Sequence, residues 1–176
     1  MSRTSRNNSE DSEELTRLVD EYYQLLYRYA FRLSGDRADA EDLTQQTYLI
    51  AQKKLSQLRD ARSARSWLCT ILRNLFLKKV TRKAEPVSLG SSPDVASDPA
   101  EIPELTSEEL QTALDELPED FRLPLLMFYF EEQSYKEISN ELSIPLGTVM
   151  SRLARARAFL QERFASLRED ISPIHS

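Results

Sequence analysis

Histidine is nearly absent from this sequence, and the only one, His175, is the next-to-last residue. Catalysis by a Ser/His or Cys/His pair needs a base held within hydrogen-bond reach, a position that a frayed terminal side chain cannot keep. The single cysteine, Cys69, excludes an internal disulfide, and no Cys/His group has metal-ligand spacing. No metal or other cofactor is therefore expected, and a reducing, cytoplasmic compartment fits. Long apolar runs are missing as well. None approaches the ~20 residues that a membrane-spanning helix needs, and the N-terminal MSRTSRNNSEDSEE has no apolar core of a signal peptide. Neither membrane insertion nor export is expected. Carboxylates are plentiful, and counting alone does not exclude a paired-acid enzyme, but the expectation is that the chain is not an enzyme.

With only three glycines and few β-branched runs, little interrupts helix, while Leu, Ala, Glu, Arg and Gln favour it. The expected fold class is all-α. An apolar content of 40% supports true cores, and 176 residues allow two small ones.

The net charge of −6 hides a strong asymmetry. Residues 1–84 hold 16 Lys/Arg against 11 Asp/Glu, residues 85–120 none against 11, and residues 121–176 seven against seven. Residues 53–83 carry ten basic side chains and a single acid, Asp60, a footprint suited to a phosphate backbone. The acidic segment EPVSLGSSPDVASDPAEIPE has four prolines, a glycine and no helical period, and reads as a linker. The expected organisation is a disordered tail over 1–11, a helical domain over 12–84, a flexible acidic linker over 85–105, a second helical domain over 106–170 and a tail over 171–176.

In the first half, Leu15, Leu18, Val19, Tyr22, Leu25, Leu26, Tyr29 and Leu33 recur at helical spacing, and Gly35 is placed to end the helix. A second helix follows, capped by Asp36 or Asp39, with Ala40, Leu43, Thr47, Ile50 and Ala51 along one stripe. Its other face shows Asp42, Gln45, Gln46 and Leu49. The basic loop SQLRDARSAR, with Arg59, Arg62 and Arg65, leads into a third helix. There Trp67, Leu68, Ile71, Leu72 and Leu75 form an apolar side, and Arg73, Asn74, Lys78 and Lys79 populate the rest. Cations among aromatics suit single-stranded nucleic acid. Trp67 reads as core and Cys69 as a buried thiol.

The second half opens on a capping box, Thr106 with Glu109, and Pro118 closes the helix that follows. EDFRLPLLMFYFEE is of a length suited to a buried helix, in which Pro124 is tolerable if it lies in the first turn. Ser134 and Glu137 form a second capping box before Ile138 and Leu142. From about Pro145 onward, Val149, Leu153, Ala156 and Leu160 fall on one seam of a helical wheel. Opposite lie Thr148, Ser151, Ala154, Arg155 and Ala158, and Arg152 and Arg157 flank them. Small residues permit close approach, arginines at the flanks reach phosphates, and Arg155 is aimed where base edges lie. Two short helices joined by SIP, the second with this face, make a DNA-reading helix-turn-helix.

SYKEISNELSIPLGTVMSRLARARAFL resembles the promoter-reading helix-turn-helix of bacterial sigma factors of the extracytoplasmic-function group. DAEDLTQQTYL resembles the group's polymerase-binding helix, and WLCTILRNLFL its segment for opening the downstream promoter element. The resemblance covers residues 15–84 and 106–168. It implies a dissociable subunit of core RNA polymerase that recognises promoter DNA, with an anti-sigma factor as a further partner. By matching position it implies that Asp42, Gln45, Gln46 and Leu49 meet the polymerase clamp helices. Arg59, Arg62, Arg65, Arg73, Asn74 and Lys78 then handle the −10 element. Thr148, Ser151, Arg152, Ala154, Arg155 and Arg157 handle the −35 element. The linker threads toward the active site and RNA exit path. Met150 departs from the group, which usually has Lys or Arg there, as do Gln46 for Glu and Tyr48 for Phe. Two other readings of the residues stand beside this one: a regulator acting on duplex DNA unaided, and a sigma mimic that sequesters an anti-sigma factor.

Overall fold

The computed structural model describes residues 8–83 and 107–171, with side chains over 9–82 and 107–166. The acidic linker and Thr106 lie outside the described residues. The chain forms two compact units, Met1–Ser88 and Leu89–Ser176. All regular structure among the described residues is helical.

The first unit contains α1 (Asn8–Ser34), α2 (Arg37–Lys54) and α3 (Ala64–Lys83), each packed on the other two. Helix α1 begins inside the segment expected to be a tail, and Glu10 and Asp11 in its first turn complement the helix dipole. It stops at Gly35, whose φ of 70° suits glycine and whose N–H donates to the Phe31 carbonyl at 2.8 Å. Asp36 then caps α2 by accepting the Asp39 N–H at 2.9 Å. Leu18, Leu26, Tyr29 and Leu33 meet Ala40, Leu43 and Ala51 and the α3 residues Leu68, Cys69, Leu72 and Phe76 in one buried core. Each fully buried leucine stabilises the unit by roughly 1.5–3 kcal/mol. Trp67 is half-buried.

The second unit contains α4 (Ser107–Glu116), α5 (Glu119–Phe130), α6 (Tyr135–Leu142) and α7 (Leu146–Ile171). Pro118 is the N-cap of α5, and Pro124 lies in its second turn rather than the first. Its ring is buried among Leu123, Leu125, Leu126 and Met127, so packing offsets the missing N–H donor. Both arms of the Ser134/Glu137 capping box form. Ser143 turns left-handed (φ 54°, ψ 41°) to stop α6, and the Ser139 hydroxyl donates to the Ile144 carbonyl at 2.7 Å, fixing the turn into α7. Val149, Leu153, Ala156, Leu160 and Phe164 supply the α7 side of the core.

Candidate functional site

On α2, Ala40, Leu43, Thr44, Thr47 and Ala51 face the core, which leaves Asp42, Gln45, Gln46 and Leu49 together on the exposed side. Gln46 donates to the Asp42 carboxylate at 2.8 Å. Leu49 is 58% exposed, an isolated apolar side chain amid polar neighbours. The Tyr48 hydroxyl donates to the Leu18 carbonyl at 3.3 Å, pinning this stretch of α2 to α1, and burial raises its pKa.

Two short 3₁₀ turns, Leu55–Gln57 and Ala61–Ser63, carry the chain from α2 to α3. Asp60, the lone acid of the basic tract, accepts both the Arg62 N–H at 2.9 Å and its guanidinium at 3.0 Å. The Arg62 bonds hold its carboxyl below the usual aspartate range. Arg59 and Arg62 are exposed and Arg65 half-buried. Along α3, Asn74 and Lys78, with Arg82 one turn further, line a shallow open groove with Leu77 and Thr81.

Arg73 departs from the expected arrangement, because only 3% of it is exposed. It lies one turn after buried Cys69 and beside Leu72, and α3 is covered by both α1 and α2. The covered arc is therefore wider than one apolar stripe. Lys79 is also committed, in an ion pair with Asp39 that ties α3 to α2.

On α7, Arg152, Arg155 and Arg157 have distinct surroundings. Arg152 reaches Asp120 on α5 at 3.4 Å. Arg157 donates to the Tyr135 hydroxyl at 3.1 Å and lies 5.1 Å from the Phe128 ring centroid. Burial disfavours its charge, but the Tyr135 and Tyr129 hydroxyls more than offset that, so its pKa is raised. Arg155 is half-exposed and, among the described residues, makes no hydrogen bond or ion pair. Thr148 and Ser151 are half-exposed, and the Ser151 hydroxyl donates to the Thr148 carbonyl at 3.1 Å.

Ala154 is a second correction: it is buried at 8% exposure instead of facing outward. It sits one turn before Arg157, on the strip of α7 that α5 and α6 cover. Leu146 and Met150, 47% and 52% exposed, open out from the first turns of α7. Sequence reasoning did not single out Leu146. Its place at the first position after Pro145 was the available signal.

A helix-turn-helix in one unit and a helical unit rich in cations in the other fit the class of proteins that handle nucleic acid. Comparison with known proteins narrows this. The Sigma-70 region 2 family matches residues 18–85 and the Sigma-70, region 4 family residues 107–160. The chain is 36% identical over 156 residues to the ECF RNA polymerase sigma factor SigE of Mycolicibacterium smegmatis, covering 84% of this chain and 60% of that relative. It is 34% identical over 176 residues to the ECF RNA polymerase sigma factor SigL of Mycobacterium tuberculosis, covering 92% of this chain and 97% of that relative. The sigma factor RpoE of Bartonella quintana, solved with the anti-sigma factor NepR, superposes with a TM-score of 0.63 at 28% identity over 89% of this chain and 98% of that one. The chain belongs to the sigma-70 family, in its extracytoplasmic-function group of RNA polymerase sigma factors.

Proposed function

We propose that the chain binds bacterial core RNA polymerase through Asp42, Gln45, Gln46 and Leu49, directs it to promoters, and helps melt the DNA, without covalent chemistry of its own. The second unit reads the −35 duplex. Arg155 and the small side chains around it enter the major groove, and Arg152 exchanges Asp120 for a phosphate. Arg157 acts from within, as a brace that positions α7. The first unit holds the −10 strand, with Arg59, Arg62 and Arg65 around an unstacked base and Asn74 and Lys78 along the backbone. Unstacking one base costs a few kcal/mol, which a shaped pocket and nearby cations offset. Among the named side chains Arg73 and Ala154 have no part in this.

The observation that carries this reading is Arg155, a cation half-exposed on the second helix of the helix-turn-helix with no internal partner among the described residues. The acidic linker keeps the free chain from loading on DNA until polymerase takes it up. An anti-sigma factor is the expected antagonist, and the cytoplasm the place of action.

The test is gel filtration with core polymerase followed by footprinting. Co-elution, with protection near both −35 and −10 that neither component gives alone, is expected. Leu49→Asp abolishes co-elution while the chain stays folded, since an exposed substitution changes stability by only ~0.5 kcal/mol. Tight duplex binding by the free chain, without polymerase, contradicts the proposal and favours an ordinary regulator.

A further inference from the structure

Three large apolar side chains of the second unit are exposed among the described residues: Tyr129, Leu146 and Met150. Tyr129 belongs to an aromatic cluster, edge-on to Phe128 at 5.3 Å. Leu146 and Met150 have no such company. They stand four residues apart on one side of α7, in its first two turns. The surface beside them is open, since a Cβ added at Gly147 meets nothing within 4 Å. In a helix-turn-helix these N-terminal turns of the second helix carry the residues that meet base edges.

The geometry points to Met150 as a specificity-determining residue that takes the C5-methyl group of a thymine in the −35 duplex, with Leu146 beside it. This rests on the −35 reading of α7 proposed above. In the major groove thymine presents the one apolar group on a base edge, its methyl. Met150 is neutral and cannot serve a phosphate. Its unbranched thioether chain adapts to a methyl at the groove floor. Polar readout from the same turn is reduced, because the Ser151 hydroxyl spends its proton on the Thr148 carbonyl. The chain's preference at one −35 position is therefore for a methyl group and not for a hydrogen-bond pattern.

The experiment uses holoenzyme assembled from the full chain and core polymerase. Promoters with a randomised −35 region are selected by transcription, and each selected thymine is replaced singly by deoxyuridine, which removes only the methyl. At one position uracil lowers holoenzyme occupancy about fourfold, the worth of one buried methyl-sized group. With Met150→Ala that loss disappears, and with Met150→Leu it persists. Indifference to uracil at every position, or an equal loss in Met150→Ala, overturns the inference, including the case in which Met150 meets a protein instead. Selection that returns no −35 preference overturns the DNA reading of α7 itself.

Discussion

Across the helix-turn-helix, Arg157 donates to the Tyr135 hydroxyl at 3.1 Å, joining the middle of α7 to the first residue of α6. The same guanidinium lies over Phe128 of α5, so one side chain gathers three helices. A bond from a charged donor and a cation–π contact make this brace a matter of stability before recognition. Arg157→Ala is expected to lower the unfolding free energy of the second unit by about 1–2 kcal/mol, and Tyr135→Phe by about 1 kcal/mol or less. Urea unfolding followed by circular dichroism checks this. Undiminished stability in Arg157→Ala would return that arginine to the DNA-contacting set.

Arg155 offers the opposite profile. With no internal partner among the described residues to lose, Arg155→Ala leaves thermal unfolding unchanged. Transcription that depends on the −35 element falls about tenfold, within the range for losing a base-edge contact. Co-elution with core polymerase persists. Equal loss of polymerase binding and promoter activity contradicts the assignment.

Arg73 and Lys78 separate burial from surface charge on α3. Arg73→Ala removes a buried polar side chain and destabilises the first unit by roughly 1–3 kcal/mol. Lys78→Ala is silent in unfolding. It lowers the slope of log affinity against log salt for single-stranded DNA by about 0.7, the value of one phosphate contact. Holoenzyme titrations with a −10 oligonucleotide at several salt concentrations measure it.

The α6 cap carries a pH signature. The Glu137 carboxylate accepts the Ser134 N–H and hydroxyl, both at 2.7 Å, and these bonds lower its pKa. The bonded form is the ionised one, so its contribution is present above the ordinary glutamate value of about 4.3 and is lost as pH falls through the lowered folded value. Glu137→Ala therefore melts below the natural chain at neutral pH, and the gap closes as pH falls through the lowered folded value. A gap independent of pH contradicts the capping role. Ser134→Ala, which removes the hydroxyl that accepts the Glu137 N–H but keeps the backbone N–H bonded to the Glu137 carboxylate, costs about 0.5–2 kcal/mol at neutral pH.

Much of this molecule was legible in its sequence because the signals are local. The helical period of Leu18, Leu26 and Leu33, the Asp36 cap, the stop at Gly35 and the Ser134/Glu137 box all act within a turn or two of chain. The exposed face of α2 followed from the same periodicity. What escaped is non-local. Asp120 lies 32 residues before Arg152 and Tyr135 22 residues before Arg157, and nothing in the chain announces either pairing. Arg73 and Ala154 were misplaced for a related reason: a wheel treats a helix as covered on one side, whereas α3 and α7 are each packed by more than one neighbour.

The most direct test of the central claim is run-off transcription with core polymerase on a library of promoter-bearing genomic fragments. Adding the chain is expected to start transcripts at a defined subset of sites that share −35 and −10 sequences, and Arg155→Ala is expected to silence them. No specific transcript from any template, with core enzyme active on a control sigma subunit, would contradict the account.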